Sequence, residues 1–161
     1  MPLKRQSSHS LKQGFTLLEI IAVVAIIAIL ATIAAVSLSS HLTKSRDSQR
    51  RTSAEMIASA LEKYYLENGE YPGCAAITQP GNSVSQGVLK GLDNAALVTP
   101  NSSEGTTNSI VCDDINNSED DVFAYVGDNT AACKTGPACS NWTISYRDEA
   151  SGEVKTIFSR H

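Results

Sequence analysis

Between Gly14 and Gly69 the 161-residue chain has neither proline nor glycine. These are the two residues that most often break a helix, proline by losing a donor and glycine by its backbone entropy. Charge is missing from Ile20 to Val36, where Thr32 is the one polar residue. Acid is missing from the first fourteen residues, which carry Lys4, Arg5 and Lys12. No cysteine spacing is as short as C-x-x-C, which argues against a zinc site. There is no Gly-rich phosphate loop, no H-E-x-x-H and no nucleophile elbow. His9, His41 and His161 lie where no catalytic partner is placed, so no enzyme is expected. Basic residues are scarce beyond Arg51: Thr52 to His161 holds 15 Asp and Glu against 6 Lys and Arg. Phosphate binding relies on clustered cations, so nucleic acid is not expected as a main partner.

What is present begins with an apolar run. Phe15 to Val36 is 22 residues, about 33 Å as a helix and enough to span a hydrocarbon core. Nothing obvious ends that helix until Asn68-Gly69, a left-handed C-cap signal with Pro72 beyond it. One unbroken helix from about Phe15 to Leu66, near 80 Å long, is the simplest reading. Its second half carries Ala54, Ile57, Ala58, Leu61, Tyr64 and Tyr65 at helical spacing, a face that needs a partner. Three strand-like runs follow: VFAYV (122–126), WTISYR (142–147) and VKTIF (154–158). In WTISYR, Trp142, Ile144 and Tyr146 share a face; in VKTIF, Val154, Thr156 and Phe158 do. DEASG between these two runs predicts a hairpin. Residues 73–118 are rich in Gly, Ser, Asn and Thr, with weak helical hints at GVLKGLDNAALV. The fold class is α+β, a long helix whose Ile57, Leu61 and Tyr64 pack on a small antiparallel sheet.

Cys74, Cys112, Cys133 and Cys139 suit an exported domain with two disulfides, for which three pairings exist. A Cys133–Cys139 bridge would enclose KTGPA, leaving Cys74 with Cys112, but spacing alone does not decide connectivity. Both flanks of the apolar run are basic, so charge barely orients it. The cysteines place the C-terminal side outside and the N-terminus in the cytoplasm.

Glu19 sits at the start of the apolar run, and three readings compete. A secretory signal has a shorter apolar core and would not open it with a carboxylate. A plain anchor tolerates Glu19 near the interface, helped by the helix macrodipole. The third reading needs a cut after Gly14. The freed Phe15 amine, with an ordinary pKa near 8, could then pair with Glu19 of its own or a neighbouring chain. Such a pair would fix the stagger between otherwise smooth apolar helices. An unpaired carboxylate within a membrane helix is costly, which flags a function.

KQGFTLLEIIAVVAIIAILATIAAV resembles the class III signal of type IV pilins and pseudopilins, and SRDSQRRTSAEMIASALEKYYLENGEYPG resembles their helix end. The similarity covers roughly residues 4–72. It implies a pilin-like fold and cleavage between Gly14 and Phe15 by a membrane prepilin peptidase. It further implies N-methylation of Phe15 and an assembly role for Glu19. Ala28 and Val36 stand where many relatives have a helix-loosening Gly and Pro, which favours an intact helix here.

The resulting expectation is a structural subunit that polymerises with itself into an extracellular type IV pilus. Residues 1–14 are then a cleaved leader and 15–40 the transmembrane and filament-core half of the helix. Residues 41–161 form the head, including the amphipathic helix half at about 41–68. Before assembly the chain is a single-pass protein of the cytoplasmic membrane, served by an assembly ATPase and its platform. The rivals are a type II secretion pseudopilin and a minor or tip pilin acting as an adhesin or DNA-uptake module. No cofactor is expected. Calcium at DDINNSEDD (113–121) is the alternative weighed, and that run lacks the spacing and glycine of a calcium-binding loop. The basic group Lys44, Arg46, Arg50 and Arg51 is expected at lipid headgroups or against acidic neighbours.

Overall fold

The computed structural model describes residues 15–116, 118, 121–128, 133, 136 and 138–161, leaving aside the side chain of residue 36. Its contacts divide into two compact units, Met1–Ser39 and Ser40–His161. Helix α1 is assigned from Leu17 to Asn68. It starts where Thr16 accepts the Glu19 N–H on both its carbonyl (3.1 Å) and its Oγ1 (3.2 Å). It stops at Gly69, whose φ of +79° suits a residue without Cβ and whose N–H donates to the Tyr65 carbonyl. The ends lie two residues from those read off the sequence because the caps, and not hydropathy, set them.

In the first unit every described side chain from Phe15 to Ala35 is exposed. Thr32 returns its hydroxyl to the Ile29 carbonyl at 2.7 Å, so its polar group is satisfied within the helix.

In the second unit, the head, the other half of α1 buries Ala54, Ile57 and Leu61 completely. Strands β2 (Ile110–Val111), β3 (Phe123–Gly127), β5 (Trp142–Arg147) and β6 (Val154–Phe158) form one sheet in the order β2-β3-β5-β6. Trp142, Ile144 and Tyr146 alternate inward along β5 and join Ile57 and Leu61 in one core. Burying each such side chain contributes about 1.5–3 kcal/mol before entropy is counted. The register Thr143↔Phe158 and Arg147↔Val154 puts Val154 and Phe158 on the opposite, outer face. Two expectations are corrected. The sheet is mixed, because β2 runs parallel to β3, and β3 begins at Phe123, one residue later than the predicted run.

Residues 73–118 hold more structure than their composition suggests. Short helices span Cys74–Ile77 (α2) and Gly81–Ser83 (α3), followed by a π turn at Val84–Val88 and a 3-10 turn at Asn94–Leu97. Long-range bonds hold them: Asn108 Nδ2 donates to the carbonyls of Ile77 (2.8 Å) and Gln79 (2.7 Å). A second, two-stranded ladder pairs β1 (Tyr71–Pro72) with β4 (Ala138–Cys139). The buried Tyr125 hydroxyl donates to the Pro72 carbonyl at 2.8 Å and joins the two sheets. Disulfides link Cys74 to Cys112 and Cys133 to Cys139, with Cα separations of 5.8 and 4.4 Å. Gly127 lies against the second bridge, where an added Cβ would overlap the Cys133 sulfur.

Candidate processing and assembly site

The residues singled out at the N-terminus fall at the beginning of α1. Gly14 lies outside the described residues, so the geometry of the cleavage bond is not described. Phe15 is 80% exposed. Thr16 is the N-cap, and Thr16-Leu17-Leu18-Glu19 has the T-x-x-E pattern of a capping box, with Glu19 at the third helical position. That local role is one the sequence reading passed over. It explains why an acid is well placed here whatever else it does, since the first turn of a helix favours negative charge. Glu19 is exposed, and among the described residues its carboxylate has no partner. The apolar surface behind it (Ile20, Ile21, Val23 and Val24 onward to Ile33) is 48–63% exposed, which water does not tolerate over such a length. α1 is the one described helix long and apolar enough to cross a membrane.

Within the basic group after the apolar run, Arg50 turns away from the surface. Arg50 is only 3% exposed and points into the head. Its guanidinium reaches Asp47 at 3.0 Å, Asp121 at 2.9 Å and Glu149 at 3.2 Å. Arg46 grips Glu149 from the other side, with Nε to Oε2 at 2.8 Å and a second, shorter contact to Oε1. Asp47 accepts the N–H groups of Glu149 (2.7 Å) and Ala150 (3.0 Å), closing the turn between β5 and β6 onto α1. Arg51 pairs with Glu55 one turn on. Arg50 is therefore consumed inside the head and Arg46 is engaged with Glu149, whereas Arg51 pairs with Glu55 at the surface and stays exposed. Lys44 remains exposed.

The electrostatics follow from this geometry. Hydrogen bonding from Arg46, reinforced by Arg50, pulls the Glu149 carboxyl down from its ordinary 4.5 to about 2. Burial opposes ionisation of Asp47, but the two turn N–H groups and Arg50 outweigh it and hold the carboxyl below its usual range. Burial likewise opposes charge on Arg50, and the carboxylates of Asp121 and Glu149 raise it above its ordinary value.

The acidic run 113–121 is partly visible. Asp114 accepts from the backbone and side-chain nitrogens of Asn116, both at 2.8 Å, and Asp121 is held by Arg50. Asn117, Glu119 and Asp120 lie outside the described residues. Asp128, Cys133 and Cys139 bring three ligand-type atoms together, but the two sulfurs are bonded to each other. Trp142 and Tyr146 are 2% and 6% exposed and belong to the core.

An α+β head behind a helix with an unburied apolar half is a pilin-like architecture. Residues 9–35 match the family model of the prokaryotic N-terminal methylation motif. Residues 9–35 thus carry the class III prepilin signal found in type IV pilins and pseudopilins. No curated protein and no solved structure gives a significant match. The motif implies processing by a prepilin peptidase, membrane anchoring through the apolar helix and assembly into filaments.

Proposed function

We propose that the chain is the repeating subunit of an extracellular type IV pilus, drawn from the cytoplasmic membrane after cleavage between Gly14 and Phe15. The observation that carries this reading is the apolar face from Phe15 to Ile33, exposed along its whole length within the matched methylation motif. In lipid that surface is already satisfied, so close packing and polar pairing must favour the filament. The new Phe15 amine, N-methylated and cationic at neutral pH, meets Glu19 of an adjoining copy. That pair removes two charges from an apolar shaft and sets the axial stagger. The head contributes no chemistry; its disulfides and charge cluster suit it to survive outside the cell.

N-terminal mass spectrometry of the native protein, with recovery from sheared filaments, tests the reading. A chain starting at methylated Phe15 and abundant in the sheared fraction supports it. A chain starting near Leu38 restores a secretory signal. A mature chain confined to the cell envelope points to a pseudopilus.

A further inference from the structure

We propose that Thr16 is a positioning residue for leader removal: by capping α1 it holds the Gly14–Phe15 bond outside the helix, within reach of a peptidase. The inference rests on the cleavage proposed above, and it names what keeps that bond open to attack in this chain. Phe15 and Thr16 precede the helix, which is assigned from Leu17. Thr16 Oγ1 accepts the Glu19 N–H at 3.2 Å, and the Thr16 carbonyl accepts the N–H groups of Glu19 (3.1 Å) and Ile20 (3.3 Å). Those are the bonds of an N-cap residue, whose side chain supplies an acceptor that the start of a helix otherwise lacks. The match to the methylation motif over residues 9–35 is an independent sign that processing falls at this same helix start.

The reaction sets the requirement. Water adds to the Gly14 carbonyl carbon, the bond from that carbon to the Phe15 nitrogen breaks, and a proton passes from the water to the departing amine. The carbonyl must therefore be open on one face and not tied into a helical ladder. A helix running a few residues further back would tie it. Its i→i−4 bonds would give the Phe15 carbonyl to the Glu19 N–H and the Gly14 carbonyl, the group to be attacked, to the Leu18 N–H. Winding back is favoured here because the apolar surface begins at Phe15, and N–H groups entering hydrocarbon must be satisfied within the chain. Thr16 meets that demand locally with its hydroxyl. Gly14 opposes winding from the other side of the bond, since glycine is costly inside a helix. Valine in place of Thr16 keeps the shape of the side chain and loses the acceptor. Glu19 is then left with the poorer i→i−3 bond to the residue 16 carbonyl or with a longer helix.

The test follows conversion of the full-length precursor to the mature chain in membranes from its own cells, with the peptidase limiting and precursor levels matched. Wild type is compared with Thr16→Val, Thr16→Ser and Thr16→Asn, and each product is identified by mass spectrometry. Thr16→Val is expected to be cut about fivefold more slowly, the effect of losing an average cap. Thr16→Ser and Thr16→Asn keep strong capping side chains and should stay within about twofold of wild type. Rescue by asparagine separates capping from a direct contact, because it restores an acceptor without the hydroxyl that a peptidase pocket would read. Thr16→Val cut at the wild-type rate overturns the proposal, as does Thr16→Asn cut as slowly as Thr16→Val. A wild-type product that does not start at Phe15 overturns the cleavage reading and the proposal together, so the product masses tell the two failures apart.

Discussion

Replacing Arg50 by methionine removes the one cation that three carboxylates converge on. Methionine keeps most of the apolar stem, so the change is chiefly electrostatic. Asp47, Asp121 and Glu149 have side chains 11%, 24% and 29% exposed, so solvent relieves part of their repulsion. Breaking a buried ion pair from one side costs about 3–5 kcal/mol, and partial exposure places this one near the lower end, at about 3 kcal/mol. For a unit of this size that is a fall in melting temperature of about 10 °C. The pH dependence gives the sharper signature. Glu149 has a folded pKa near 2 against an ordinary 4.5, so its stabilisation is complete above the ordinary value and is lost as pH falls through the folded one. Discounted for screening at a carboxylate 29% exposed, this amounts to about 1–2 kcal/mol disappearing between roughly pH 5 and pH 2. The wild type should weaken over that window. Arg50→Met should weaken less, because protonation relieves its crowded carboxylates, so the gap narrows on acidification. Circular-dichroism melts of the full chain in detergent at pH 7, 4 and 3 read both effects. A variant melting within about 3 °C of wild type at pH 7, or a gap independent of pH, would refute the reasoning.

Other consequences are simpler. Gly127→Ala should disrupt the Cys133–Cys139 bridge, because the new methyl overlaps its sulfur; thiol titration of the exported protein should show two reactive thiols. Tyr125→Phe leaves the buried Pro72 carbonyl without its donor and should lower stability by about 1–2 kcal/mol in denaturant unfolding. Glu19→Gln keeps the backbone N–H that Thr16 Oγ1 accepts and removes the charge. It should therefore mature normally and fail to polymerise, whereas filaments of normal yield would leave Glu19 only its favourable placement in the first turn of the helix.

The parts of this fold that could be read from the sequence are those where one chemical period repeats over several turns. Ala54, Ile57, Ala58 and Leu61 keep the helical interval, and Trp142, Ile144 and Tyr146 keep the strand interval, so both inner faces were visible. The inward turn of Arg50 was not, because Arg46 and Arg50 at i and i+4 look like an ordinary solvated face until Asp121 and Glu149 arrive from far along the chain. Strand β2 is two residues long and carries no period at all. The turns between Cys74 and Leu97 are fixed by distant donors such as Asn108, which local propensity does not register. At the processing site the G-F-T-L-L-E pattern was legible at once. Its second meaning, a helix N-cap at Thr16, shows only in the Thr16 hydroxyl set against the Glu19 N–H.

A reconstruction of the native filament at side-chain resolution tests the central claim most directly. The account predicts the methylated Phe15 amine of one subunit within about 4 Å of the Glu19 carboxylate of another, inside a dry bundle of apolar helices. A Glu19 carboxylate facing solvent, or remote from every neighbouring amino terminus, would contradict it.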